Sequence, residues 1–140
     1  MTNQPTSATV GHWRELGCSY DEAALQLPEA LKKEGFGIIT EIDLQATFKA
    51  KLGIDFRRYR IFGACNPSFA HKALMADPRV GLLLPCNVAL YENDGGKAML
   101  GAVDPMQTLG AEGATTGLAD LAREVGVRLE RALAGVDASA

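Results

Sequence analysis

Two Cys-Asn pairs are the residues best suited to chemistry in this chain of 140 residues. Cys65-Asn66 precedes Pro67, and Cys86-Asn87 follows another proline. A thiolate is the nucleophile of cysteine chemistry and a ligand for copper or zinc, and the amides at a helix N-terminus stabilise it. If the two pairs meet, they would form a soft-metal site, a thiol-redox site or a polar corner that orients a small ligand.

The residues around the pairs predict the elements that would bring them together. Residues 59–65 alternate in a way typical of a strand, and Asn66 and Pro67 are favourable as the N-cap and the first residue of a helix. A second strand is predicted over residues 83–91, and a proline just before Cys86 indicates a strand start, an edge or a bulge. In an antiparallel sheet the end of one strand faces the start of its neighbour. The sequence therefore predicts that the two cysteines lie close together beside a helix N-terminus.

A soft-metal or thiol-redox site would use these cysteines, with a histidine as a further ligand. The spacing gives limited support, since the chain has no CxxC motif and only one other histidine, His12. The nearer histidine lies beyond the first turn of its predicted helix, although helical side chains lean back toward the N-terminus. Copper and zinc are the candidate metals, and the candidate ligands are Cys65, Cys86 and His71.

A non-enzymatic site for a small ligand or a partner is the interpretation that we favour. Predicted strands such as 88–91 and 99–103 carry apolar residues on both faces, and helices on one side of a sheet cover only one of them. The other face, or a groove against the helices, would accept a small apolar molecule that asparagine side chains orient. The candidate ligand-binding residues are Cys65, Asn66, Pro67, His71, Cys86 and Asn87.

Each of these residues also has a purely structural interpretation when it is taken singly. Free cysteine is among the most buried residue types, so both thiols would be small core residues. Asn66 would only cap its helix, Asn87 would satisfy a nearby backbone group, and His71 would lie on the surface. We disfavour an enzyme, because the sequence offers no base and orienting group aligned with a nucleophile.

The composition predicts a single domain over residues 1–140. Hydrophobic residues make up 47% of the chain and charged residues 22%, and no apolar run reaches the roughly 20 residues of a membrane span. We expect neither a membrane span nor a signal peptide, and hence a cytoplasmic protein with reduced cysteines. A net charge of −3 without a basic stripe argues against nucleic acid as a partner, and the two-faced apolar strands favour a homodimer.

Capping and turn signals predict the remaining elements. Ser19 and Glu22 form a capping box for a first helix, in which Pro28 predicts a kink or a break into two pieces. The fold class is α+β, with a mainly antiparallel sheet, the order β-α-β(4)-α, short extra helices, and helices packed on one face. Residues 1–9 and 135–140 are expected to fray. The other predicted elements are an edge strand at 8–13, a central strand at 36–42, a short helix between Asp43 and Gly53, a hairpin turn at 93–96 with a return strand to 104, and a C-terminal helix from 118 with Thr115 or Thr116 as its cap.

Several segments of the chain resemble the domain-of-unknown-function family DUF302. They are GFGIITEID, KLGIDFRRYRIFGACNPSFAHKAL, DPRVGLLLPCNVALYENDGG and the VDP at 103–105. The resemblance runs from about Gly35 to Pro105, with looser agreement in the flanking helices. It implies a fold similar to TATA-binding-protein-like domains, in which a strand and a helix are followed by four strands and a final helix. It implies no activity, and the nucleic-acid function of similarly shaped domains does not transfer with the fold.

Overall fold

The computed structural model describes residues 11–110 and 117–137. Short 3₁₀ turns cover Pro78–Leu83 and Pro105–Gln107. Within the described residues, none of the helices is both long enough and apolar enough to span a membrane. The strands are β1 (Gly11–Glu15), β2 (Gly37–Asp43), β3 (Tyr59–Cys65), β4 (Cys86–Glu92) and β5 (Ala98–Val103), and the α-helices are α1 (Tyr20–Lys33), α2 (Leu44–Leu52), α3 (Pro67–Ala76) and α4 (Leu118–Ala134).

The strands form one antiparallel sheet in the order β1-β5-β4-β3-β2. This arrangement confirms the predicted α+β class. The prediction that β2 is central is wrong, because β2 pairs only with β3 and forms an edge of the sheet. Two of its apolar residues lie outside the core, since Ile39 is 60% exposed and Ile42 is 46% exposed. Apolar residues on two faces of a strand therefore did not indicate a central position here.

α1 begins as the sequence predicts and continues in one piece. The Ser19 hydroxyl accepts from the Glu22 amide at 3.1 Å, and the Glu22 carboxylate accepts from the Ser19 amide at 3.3 Å. Pro28 lies inside the helix at an exposed position, so the prediction of two pieces is wrong. Leu27 and Leu31 are fully buried on either side of the proline, and this burial outweighs a local cost of about 3 kcal/mol.

The core lies between the sheet and the two long helices, α1 and α4. We call the sheet face that they cover the inner face. Val88, Leu90 and Leu100 point from the inner face toward Leu27 of α1 and Leu129 of α4, and none of these five side chains is more than 1% exposed. The prediction that helices pack on one face is confirmed for these two helices.

The short helix α2 lies beside β3 on the side of the sheet opposite α1 and α4. The Asp43 carboxylate accepts from the Ala46 amide at 3.0 Å, and Gly53 ends the helix in a left-handed conformation, as the sequence predicts. The Phe48 ring meets the Phe56 ring edge-on at a centroid distance of 4.9 Å. α2 and the segment after it therefore add apolar surface to the face opposite the core.

The described end of the chain is packed, so the prediction that residues 135–137 fray is wrong. Val136 is fully buried, and the Arg14 guanidinium donates to its carbonyl at 2.6 Å. The Gly17 amide donates to the Asp137 carboxylate at 2.7 Å. Residues 1–9 and 138–140 lie outside the described residues, as do the predicted caps Thr115 and Thr116. The prediction of a single domain stays a prediction.

Candidate functional site

The sheet register brings the two cysteines to the same end of neighbouring strands. Ala64 lies directly opposite Cys86 in the β3–β4 pair, and Cys65 is the last residue of β3, opposite Gly37 of β2. Cys86 is 6% exposed, and Cys65 is only half-buried. The predicted proximity of the thiols is confirmed, and Cys86 is the more buried of the two.

A cavity of about 300 Å³ lies over these strand ends, and we call it the thiol cavity. α3 and α4 form its sides, and the segment before β4 closes it. Ile39 and Leu74, which line it and are exposed, mark where it meets solvent. Its principal lining residues are Phe36, Cys65, Asn66, Phe69, Ala70, Ala73, Leu84, Cys86, Leu109, Leu121 and Val125. Apart from Asn66 and the two thiols, every lining side chain among the described residues is a hydrocarbon.

Burial has a large effect on the thiol at the base of this cavity. Loss of hydration, with a smaller electrostatic effect from the nearby Cys65, raises the pKa of Cys86 from 9.0 to about 11. Cys86 is therefore a neutral thiol at physiological pH. A neutral, buried thiol behaves as a small hydrophobic group rather than as a nucleophile or a metal ligand.

Asn66 is the one amide side chain that lines the thiol cavity in the described part of the chain. It is the N-cap of α3, with Pro67 as the first helical residue, as the sequence predicts. Its Oδ1 accepts from the Phe69 amide at 3.5 Å, and its Nδ2 donates to the Glu34 carbonyl at 3.4 Å. Both distances are long for hydrogen bonds between neutral groups. The amide therefore has hydrogen-bonding capacity left for another group in the cavity.

The structure places three of the six predicted ligand-binding residues outside the thiol cavity. Pro67 and His71 are exposed on α3 and do not line it. Asn87 is exposed as well, because successive side chains of a strand point to opposite faces and Cys86 faces inward. Cys65, Asn66 and Cys86 are the predicted residues that meet. Among the described residues no group of three or more His, Cys, Asp or Glu side chains converges as a metal site would require.

Sequence reasoning missed the apolar walls of the cavity. Phe69 is 8% exposed and Leu109 is 3% exposed, while Leu121 of α4 is half-buried. Leu121 belongs to an apolar stripe of α4 that also contains Leu118, Val125 and Leu129, and Phe69 lies in the first turn of α3. Both signals indicate burial, but neither indicates that a gap is left between the helices.

A second cavity, of about 310 Å³, lies between α4 and the β1 edge of the inner face. His12 is at its rim, with Nε2 3.2 Å from Asp104 Oδ2 and 3.7 Å from Glu130 Oε1. No role is predicted for His12 from the sequence. Leu100 and Leu129 form part of the wall, and Gly126 of α4 also lines it.

Comparisons with known proteins identify relatives without an established activity. A family model described as "Domain of unknown function DUF302" matches residues 14–136. The chain is similar to the crystal structure of an uncharacterized conserved DUF302 protein from Bacillus stearothermophilus, with a TM-score of 0.84 and 27% sequence identity. The match covers 92% of this chain and 99% of that one. A search of the curated proteins gives no match.

Proposed function

The chain belongs to the DUF302 family of domains of unknown function, and we propose that this member binds a small, mostly apolar molecule in the thiol cavity. The observation that supports the proposal is a cavity of about 300 Å³ whose walls are almost entirely hydrocarbon. Ligand sites are clefts lined mostly by hydrophobic side chains, with a few polar groups that fix orientation. The thiol cavity has this composition, and it opens to solvent beside Ile39 and Leu74, where a ligand can enter.

The volume sets the size of the ligand. Ligand pockets span about 300–1,000 Å³, and an apolar cavity of about 150 Å³ accepts benzene. The thiol cavity is about twice as large as the latter, at 300 Å³, and fits a molecule with two fused rings or an alkyl chain of similar volume. Water gains little in such a space, because it needs two to four polar partners.

Asn66 gives the site its polarity. The hydrogen bonds of its side chain are long, so Nδ2 could donate to a hydroxyl or carbonyl oxygen of a ligand instead of to its present acceptor. A single polar group on an otherwise apolar ligand would therefore point toward the N-terminus of α3. In this proposal Cys65 and Cys86 contact the apolar part of the ligand and take no part in a reaction.

The soft-metal or thiol-redox alternative has weaker support. The raised pKa keeps Cys86 protonated at neutral pH, and a metal would have to displace that proton in an apolar setting. His71, the third candidate ligand, is exposed and lies outside the thiol cavity. We therefore prefer the apolar ligand to copper or zinc.

A fluorescence titration with 1-aminonaphthalene, an uncharged probe with two fused rings whose emission shifts to shorter wavelength in apolar surroundings, tests the proposal. We expect saturable binding of one probe per chain, with a Kd on the order of 10 µM. Ala70→Leu places a larger side chain in the cavity from α3, and we expect it to weaken binding at least about tenfold. Leu121→Phe, from α4, should act in the same direction.

Ala50→Leu is the matched control, because Ala50 is exposed on α2 and does not line the cavity. Its Kd should stay within about twofold of the unmodified protein. Circular dichroism melting of each variant separates a blocked cavity from a lost fold. If a folded Ala70→Leu and a folded Leu121→Phe bind the probe as tightly as Ala50→Leu does, the probe lies elsewhere and the proposal is wrong.

A further inference from the structure

We propose that two copies of this chain associate through the sheet face that points away from α1 and α4, which we call the outer face. The strand register defines it. Ile42, Ile61 and Ala89 lie side by side on β2, β3 and β4, and the row continues across Gly101 to Trp13 at the β1 edge. A second row joins Tyr59, Tyr91 and Met99.

The outer face is almost free of charge. In an antiparallel sheet with one solvated face, polar residues alternate with the buried ones. Here the outer-face positions of all five strands carry apolar, aromatic or small side chains and a few neutral polar ones, and the only charged residue among them is Glu15 at one end of β1. Met99 and Tyr91 are already buried by neighbouring side chains, so the surface left for a partner is formed mainly by Ile42, Ile61, Ala89 and Trp13. A contiguous apolar patch of this kind is unusual on a monomer and marks an interaction surface.

Aromatic rings make part of this face rigid and extend it beyond the sheet. Tyr59 and Tyr91 stack with an interplanar angle of 4° at 5.1 Å, and Trp13 meets Tyr91 edge-on at 5.4 Å. Phe56 lies 6.3 Å from Tyr59, and Phe48 of α2 packs on Phe56. Rings that are already fixed against one another lose little side-chain entropy when a partner binds.

The segment that follows this row is more exposed than the sheet itself. Leu52 at the end of α2 is 65% exposed, Ile54 is 47% exposed and Phe56 is 38% exposed. Together with Ile42, these residues continue the apolar surface past the β2 edge. Burial of these exposed side chains against a partner would supply most of the hydrophobic free energy of association.

The size of the face suits a second copy of the chain. Five strands about 4.8 Å apart, each rising about 3.3 Å per residue, make a surface of roughly 24 by 20 Å. The apolar margin at residues 52–56 brings this close to the roughly 800 Å² that each partner contributes to a standard stable interface. Two such sheets pack face to face about 10 Å apart, and a two-fold axis brings the same patch of each copy together.

Charge favours the same occupant. Two charged pairs lie at the margin, Arg57 with Asp94 at 2.9 Å and Lys49 with Asp55 at 3.0 Å, and the Arg57 guanidinium also lies 5.8 Å from the centroid of the Tyr91 ring. A strongly charged partner would find no complementary field on this face. An uncharged, self-complementary surface avoids the repulsion between like charges that a two-fold axis would otherwise bring together.

Sedimentation velocity from 5 to 100 µM tests the proposal. We expect the unmodified protein to sediment as a dimer, with twice the chain mass of 14.9 kDa. Ala89→Asp puts a carboxylate at the centre of the outer face, and Ile42→Asp puts one at its margin, where the wild-type side chain is already 46% exposed and so tolerates charge in a monomer. Each should weaken association by roughly a hundredfold and give a folded monomer.

Leu82→Asp is the control, because Leu82 is 93% exposed in the 3₁₀ turn before β4 and lies off the outer face. It should remain dimeric. Emission from Trp13, the only tryptophan, should shift to shorter wavelength as the dimer forms, and it should not shift in Ile42→Asp. The proposal is overturned by a protein that is monomeric up to 100 µM, by a folded Ile42→Asp that stays dimeric, or by loss of the dimer in Leu82→Asp.

Discussion

Deprotonation of Cys86 should destabilise the fold at alkaline pH, because the folded chain holds this proton more tightly than the unfolded chain does. Its thiol has a pKa of about 11 when folded, against 9.0 in an exposed setting. Below pH 9 both states are protonated and the full contribution is present. Between pH 9 and 11 the unfolded state loses the proton first, so the free energy of unfolding falls by about 1.4 kcal/mol per pH unit.

These two values predict a loss of about 2 kcal/mol at pH 10.5 relative to pH 7.5. Other groups titrate in the same range, since burial also raises the pKa of Tyr59 and of Tyr20. The comparison is therefore made between two proteins that differ only at Cys86. Cys18→Ala, which keeps Cys65 beside Cys86, is the reference, and the same protein with Cys86→Ala added is the test.

Urea unfolding of both proteins at the two pH values gives the difference directly. The free-energy advantage of the protein that keeps Cys86 should shrink by about 2 kcal/mol at pH 10.5, and absorbance at 240 nm should rise as the chain unfolds, because the thiolate is the minor form in the folded state and the major form in the unfolded state. If the advantage is the same at both pH values, the thiol ionises as freely in the folded state as in the unfolded state. The thiol cavity would then be wet, which would refute the reasoning that assigns it to an apolar ligand.

Three single substitutions test other parts of the account by urea unfolding at neutral pH. Gly101→Ala should cost about 1–3 kcal/mol, because its Cβ would lie 2.5 Å from an atom of the Trp13 ring, and an unchanged midpoint would mean that the ring does not rest on this strand. Gly126→Ala should stabilise the fold by up to about 1 kcal/mol, since alanine favours helices and its Cβ would make an ordinary 3.5 Å contact with Pro105, and any loss of stability contradicts this packing. Ser19→Ala should cost about 1 kcal/mol by removing the capping box, and a change below about 0.3 kcal/mol would show that this cap does not stabilise α1.

Elements that depend on local chemistry could be predicted from the sequence. Asn66 and Pro67 fix the start of α3 through a side-chain acceptor and a preset φ, and the left-handed Gly53 ends α2. The turn that begins at Asn93 follows in the same way, because the Asn93 side chain accepts from the amides of Gly95 and Lys97. Each of these signals lies within a few residues of the structure that it specifies.

Features that depend on pairing between distant residues could not be predicted in the same way. β2 is an edge strand because β3 is its one neighbour in the sheet. The residues of β2 alone do not indicate how many neighbouring strands it has. Pro28 is tolerated because residues of the sheet and α4 bury the helix around it. Asn87 does not line the thiol cavity, because successive side chains of a strand point to opposite faces and Cys86 points inward. The thiol cavity itself exists only because Leu109 and Leu121 approach Cys86 from far along the chain.

A crystal structure grown with 1-bromonaphthalene tests the central claim most directly, since bromine is located by its anomalous scattering. We expect a bromine peak inside the thiol cavity, between Phe69 of α3, Leu121 of α4 and Cys86 of the sheet. Crystals of Ala70→Leu grown in the same way should lack that peak. A bromine found only at exposed side chains such as Leu82, with the thiol cavity empty in the unmodified protein, would contradict the account.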